Sequence, residues 1–251
     1  MTDAELYDPE FFDAITPAAL NAAGALMPFV LEYVQPTRVI DVGCGRGPWL
    51  RVLQEISGCE ILGVDGPHVD VTRLVIPRER FVPHDLNLPL PDLGTFDLAV
   101  SMEVAEHLRP ERADSFVADL CGLAPTVLFS AAVPGQGGTG HINEQWLSFW
   151  VSRFANHGYR SFDVLRPRLW NDARIPVHYR QNLILFSRDH DLAEQTTGIP
   201  LVDVVHPELF ADAVATRDRP PGVGDHLRDL LPSVRRSIAY RIRRARRSRQ
   251  R

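Results

Sequence analysis

Five short apolar runs recur along the first half of the chain: "TRVIDVG" (37–43), "CEILGVD" (59–65), "RFVPHD" (80–85), "FDLAVSM" (96–102) and "TVLFSA" (126–131). Their apolar residues run together rather than alternating with polar ones, which is the pattern of strands covered on both faces. Helical stretches at 47–57 and 110–122 fall between some of them. Such alternation predicts a parallel sheet with helices on both sides. Two further strands, "YRSFDVL" (159–165) and "QNLILFS" (181–187), follow a helix at 143–157 and predict an antiparallel, hairpin-like end to the sheet. A leading helix is expected over 8–34, with Pro17 at a helix start.

The first of these strands runs straight into "DVGCGRGPW". A glycine-rich turn between strand and helix lets a ligand approach the backbone and meet the helix N-terminus. A dinucleotide site has the spacing G-x-G-x-x-G. Here Gly43, Gly45 and Gly47 give G-x-G-x-G, with Asp41 two residues ahead of the first. A carboxylate in that place suits a cationic ligand better than a pyrophosphate.

This turn resembles motif I of the class I S-adenosylmethionine-dependent methyltransferases, and the likeness continues in order through residues 37–131. Asp65 in "LGVDG" resembles the acid that binds the ribose hydroxyls, Asp85 and Leu86 in "VPHDLN" the pair against adenine, and "FDLAVSMEVAEHL" the fourth strand and its loop. The resemblance implies an α/β fold, a Rossmann-like seven-stranded class I methyltransferase sheet with helices on both faces. It implies S-adenosylmethionine as cofactor, held by Asp41, Gly43, Gly45, Asp65, Gly66, Asp85, Leu86 and Met102.

Methyl transfer to a hydroxyl needs an aligned acceptor and a way to remove its proton. "EVAEH" supplies Glu103, Glu106 and His107, which share a face if the chain turns helical there. Two carboxylates and an imidazole suit a divalent cation such as Mg²⁺ or Mn²⁺. The small-RNA 3′-terminal 2′-O-methyltransferases carry a similar E-x-x-E-H completed by a later histidine, which here is His141. Metal-free methyltransferases of the ubiquinone type also carry a similar E-V-x-E-H, so both readings stand. After the fifth strand comes "GQGGTGHINEQW" (135–146), a glycine-rich stretch at the rim where open α/β sheets bind ligands. It can close over an acceptor, with His141 as general base or metal ligand and Glu144 and Glu106 as further acid–base candidates. Asn143 is expected to cap the next helix, and Trp146 and Trp150, four apart, to lie in the core.

The segment 140–186 resembles bacterial sugar O-methyltransferases of glycan and antibiotic pathways, of which the mycobacterial methylmannose polysaccharide type is one example. That likeness implies a sugar or oligosaccharide acceptor. Arg166, Arg168, Trp170, Asn171, His178, Tyr179 and Gln181 supply the donors, acceptors and flat faces that a polyol site uses. The alternatives are an RNA 3′-end, a phenolic or quinone small molecule, or a scaffold that binds the cofactor without turnover.

Charge bears on that choice. The chain carries −5, yet 235–251 holds nine arginines and no acid, so the remaining residues carry −14. An acidic body is a poor surface for nucleic acid. The basic tail could touch an anionic membrane surface. All basic residues are arginine, which reads as coding bias. The acidic start of the chain shows no signal peptide, and three scattered cysteines (Cys44, Cys59, Cys121) fit a reducing cytoplasm. The expected organisation is a helical segment over the active site (1–35), the methyltransferase domain (36–190), wrapping loops and short helices (191–233) and the arginine-rich tail (234–251). The sequence leaves the oligomeric state open.

Overall fold

The computed structural model describes residues 6–7, 9–189 and 203–217. The basic tail and most of the wrapping segment lie outside the described residues. The chain divides at Phe210 into two compact units, and the sheet, its covering helices and the site all belong to the first.

The elements in chain order are α1 (Pro9–Val30), β1 (Arg38–Val42), α2 (Pro48–Ser57), β2 (Glu60–Asp65), β3 (Phe81–Pro83), β4 (Leu98–Met102), α3 (Ala113–Leu123), β5 (Thr126–Ser130), α4 (Leu147–Asn156), β6 (Arg160–Phe162), α5 (Arg166–Leu169), α6 (Val177–Asn182), β7 (Ile184–Ser187) and α7 (Pro207–Arg217). The strands form one seven-stranded sheet in the order β3-β2-β1-β4-β5-β7-β6. β7 runs antiparallel to both of its neighbours, with Phe129 opposite Ile184 and Phe162 opposite Leu185, while the other pairings are parallel. The order reverses at β1 and β4, which opens a crevice at their C-terminal ends.

Successive strand residues face opposite sides, and both sides are buried. Val39, Leu98, Val100, Leu128 and Leu185 pack under α1 and α2. Ile40, Ala99, Val127, Phe129, Ile184 and Phe186 pack under α3 and α4. In that second layer the Phe154 and Phe186 rings stack at 3.9 Å, and Trp150 lies 5.3 Å from Phe129. Double burial is why the strand sequences read as unbroken apolar runs.

Several local expectations shift. α1 begins at Pro9 and runs through Pro17, which therefore lies inside the helix rather than at its start. Thr16 donates its hydroxyl to the Phe12 carbonyl at 2.6 Å in the turn just before Pro17. α4 starts at Leu147, so Asn143 is not its cap. Trp150 is fully buried, but Trp146 precedes the helix and is 40% exposed. Between β6 and β7 lie the short helices α5 and α6, and the last strand begins at Ile184 rather than at Gln181. No described helix is long and apolar enough to cross a membrane.

Candidate functional site

A cavity of about 800 Å³ opens at the C-terminal edge of the sheet, above the β1–β4 crevice. Its first half is made by the ends of the first three strands. Gly43, one residue past β1, has φ +89°, and a Cβ there would sit 2.2 Å from a Val104 methyl. Only glycine fits such a position. The Gly43 and Cys44 amides donate to the Val64 carbonyl at 2.8 and 3.2 Å, which folds the turn against β2. Asp65, the last residue of β2, accepts from the Gly45 and Gly66 amides at 2.6 Å each. Burial raises the Asp65 carboxyl, and those two N–H donors partly offset it. Asp85 and Leu86 follow β3 and line the same wall, as do Gly66 and Met102. From above, Phe12 of α1 closes on Gly45, and Arg46 is tied to Asp13 at 2.6 Å.

Asp41 does not reach this cavity. Its carboxylate is 1% exposed, lies below the turn and has no hydrogen-bond partner. Burial and the charge of Asp65 push its carboxyl well above the ordinary aspartate value. Asp41 is the fourth residue of β1, whose last four residues are all buried.

The second half of the cavity gathers side chains from distant segments. Within Glu103–His107 only Ala105–His107 is helical, as one 3₁₀ turn, so Glu103 shares no helix face with Glu106. Glu103 instead takes the left-handed backbone (φ +54°). Its carboxylate accepts from the Gln136 side chain at 2.9 Å and from the Asn182 side chain at 3.1 Å. Glu106, His107 and His141 come together, one ligand-capable atom from each lying within 4.8 Å of the others. Glu106 is fully buried, and neither of its carboxylate oxygens has a hydrogen-bond partner. Burial, reinforced by the neighbouring Glu103 charge, pushes its carboxyl well above the ordinary glutamate value.

The two histidines are held from behind. The Tyr7 hydroxyl meets His107 Nδ1 at 2.8 Å, and Glu144 meets His141 Nδ1 at 2.9 Å. Glu144 therefore stands behind His141, not in the cavity wall. It also accepts from the Gly135 and Gly137 amides at 2.8 Å each, so the glycine-rich stretch is wound around this carboxylate. Burial would raise its carboxyl, and His141 with the two amides more than offsets that, holding it below the ordinary value. Gly138 gives the ring its room, since a Cβ there would lie 2.3 Å from His141 Nε2. Asn143 braces the arrangement by donating to the Ala105 carbonyl at 3.3 Å.

Of the polyol candidates in 166–181, His178 and Tyr179 line the cavity. Burial lowers the His178 imidazole and raises the Tyr179 hydroxyl. Arg166 pairs with Asp163 at 2.5 Å and Arg168 with Glu32 at 2.7 Å, and neither lines it. Trp170, Asn171 and Gln181 are also outside the lining. Sequence reasoning did not single out Tyr7, Phe12, Trp49, His68 or Gln136, which do line it. No spacing in the sequence points to them, because they arrive from α1, α2 and the loops by tertiary folding.

A family model described as a methyltransferase domain matches residues 15–164. The human protein "Probable tRNA methyltransferase 9B" is 26% identical over 168 residues, which cover 64% of this chain and 32% of that one. This chain thus spans about a third of the length of the curated relative it matches. An O-methyltransferase family protein from Burkholderia thailandensis superposes with TM-score 0.52 at 13% identity over 73% of this chain and 61% of that one. The methyltransferase domain of bacterial CtHen1-C superposes with TM-score 0.50 at 21% identity, covering 67% of this chain and 98% of that one.

Proposed function

Because this chain belongs to the methyltransferase-domain family, we propose that it is an S-adenosylmethionine-dependent O-methyltransferase acting on a hydroxyl of a sugar or oligosaccharide, with a divalent cation at Glu106, His107 and His141. The donor half fits its cofactor. Gly43 leaves the backbone open, and Asp65 and Asp85 present carboxylates to a ligand that carries hydroxyls and positive charge. S-adenosylmethionine supplies a methyl carbon on a sulfonium, whose sulfur takes the bonding electron pair and leaves as a neutral thioether. The residues of the chain bind and align the two reactants. With the cation bound, His141 would be its ligand and the hydroxyl proton would pass to water as the new C–O bond forms. Without a cation, the ring nitrogen of His141 not held by Glu144 would accept that proton.

The observation that carries this reading is Glu106. Asp41 is likewise buried and unpartnered, but Glu106 alone of the two lines the cavity and stands beside two histidines, where a ligand absent from the polypeptide can satisfy it. The two histidines beside it have their Nδ1 atoms engaged by a carboxylate and a hydroxyl, the outer support that metal-ligating histidines use to fix ring orientation. Magnesium or manganese would supply Lewis acidity that eases loss of the hydroxyl proton. Glu103 is outside this group, because its carboxylate is engaged by Gln136 and Asn182.

The test is release of S-adenosylhomocysteine by the purified full chain across a panel of glycosides, with and without EDTA. The expected result is turnover that EDTA lowers and added Mg²⁺ or Mn²⁺ restores. Full turnover in EDTA rejects the cation. Tight cofactor binding without turnover on any glycoside rejects the sugar acceptor.

A further inference from the structure

The acceptor half of the cavity is short of positive charge, and its anionic groups are rigidly placed. Resting on the function proposed above, we infer that this end selects acceptors carrying no phosphate or carboxylate, and that Glu103 is the residue that enforces the choice.

Among the described residues, Arg46 is the arginine that lines the cavity. Its charge is committed at the donor wall, to Asp13 at 2.6 Å and to the Pro9 carbonyl at 2.9 Å. Against it stand Asp65, Asp85, Glu103 and Glu106, all of which line the cavity. Glu106 is fully buried with both oxygens unpartnered. A divalent cation there does not reverse the sign of this end. Glu103, Glu106 and Glu144, the last just behind His141, outnumber its two charges.

Glu103 is over-determined. A non-glycine residue with φ +54° holds a strained backbone. It is fixed by Asn182, which is fully buried and also donates to the Gln136 side chain at 2.9 Å. Asn182 is fixed in turn by Gln181 at 2.9 Å, and Gln181 accepts the His206 amide at 2.5 Å. Three amide side chains thus serve to keep one carboxylate at the cavity wall. A neutral polyol hydroxyl can donate to it, whereas a phosphate or carboxylate meets like charge.

The inference places the reaction in a sequence. A reaction that parts the sugar from phosphate, by glycosyl transfer or by hydrolysis of the phosphate ester, must come first and supply the neutral acceptor that this enzyme methylates. Nucleotide-activated sugars and sugar phosphates are disfavoured by the same charge.

The test compares kcat/KM on methyl glycosides and trisaccharides of glucose, mannose and galactose with kcat/KM on the matching 6-phosphates and nucleotide-activated sugars, for wild type and Glu103→Gln. Neutral acceptors are expected to exceed their phosphorylated counterparts by about tenfold or more. Glu103→Gln is expected to narrow that ratio several-fold, mainly by lowering KM for the phosphorylated members. A phosphorylated acceptor preferred by wild type, or an unchanged ratio in the variant, overturns the inference while leaving O-methylation intact. If no sugar turns over, the sugar reading falls, and a second measurement decides the inference. Inorganic phosphate is titrated calorimetrically into full chain saturated with S-adenosylhomocysteine and Mg²⁺. No saturable heat is expected; saturable binding that His141→Ala abolishes overturns the filter.

Discussion

At the donor end, Gly43, Gly45, Asp65, Gly66, Asp85 and Leu86 each lie within three residues of the C-terminus of a strand. At the acceptor end, Tyr7, Glu103 to His107, Gln136 to His141 and His178 to Asn182 come from four separate stretches, joined by side-chain hydrogen bonds. Backbone geometry shapes the first end, because β1, β2 and β3 are locked in register and their ends can stand in only one arrangement. Tertiary contacts shape the second. The two ends should therefore fail differently when a single side chain is removed.

The largest separation is expected at the acceptor end. His141→Ala and Glu106→Gln should each lower turnover by about 10²–10⁴-fold, while S-adenosylmethionine affinity stays within about twofold by calorimetry. A drop in donor affinity comparable to the loss of turnover would show that the two ends are not separable. The converse variant is Gly43→Ala. Its methyl would meet Val104 in a left-handed backbone, and a strain of about 1–3 kcal/mol should weaken donor binding roughly 10–100-fold; unaltered affinity would mean that the turn does not touch the donor. A smaller effect is expected of Gly138→Ala. Displacing the His141 ring by its Cβ should lower kcat about tenfold with donor affinity unchanged, and kinetics equal to wild type would remove Gly138 from the account.

Asp41→Asn should have the smallest effect, and it tests which end Asp41 belongs to. A carboxyl whose folded pKa is raised lends its full stability below its unfolded value of 3.8 and loses it as pH rises toward the folded pKa. Wild type should therefore lose stability over that range, and the asparagine variant should lack the slope. Its unfolding free energy at neutral pH should exceed that of wild type. Loss of donor binding in this variant, with no gain in stability, would return Asp41 to the donor site.

The same contrast explains what the sequence made legible. The sheet and its antiparallel end followed from apolar runs buried on both faces, and the donor turn from glycine spacing beside Asp65 and Asp85. These signals are local in the chain. Glu106 and His107 were also legible because they follow β4 in one short motif, and His141 because it follows the glycine-rich stretch. Glu144 was legible as a reactive side chain but not as the hub of the glycine-rich stretch, because amide donors leave no mark in a sequence. Glu103 departs from the helical spacing because its backbone is left-handed, a state that periodicity does not encode. Tyr7 and Asn182 were invisible: one reaches the site from ahead of α1, the other through a hydrogen bond between residues 79 apart in the chain.

The central claim is that the ends of β1, β2 and β3 form a preformed seat for a cationic methyl donor, with Asp65 as its anchoring carboxylate. The most direct measurement is calorimetric titration of S-adenosylmethionine into the purified full chain and its Asp65→Asn variant, with a nicotinamide dinucleotide as control. The account predicts saturable binding to wild type, weakened by about tenfold or more in the variant, and no heat from the dinucleotide. Saturation by the dinucleotide with none by S-adenosylmethionine would contradict it.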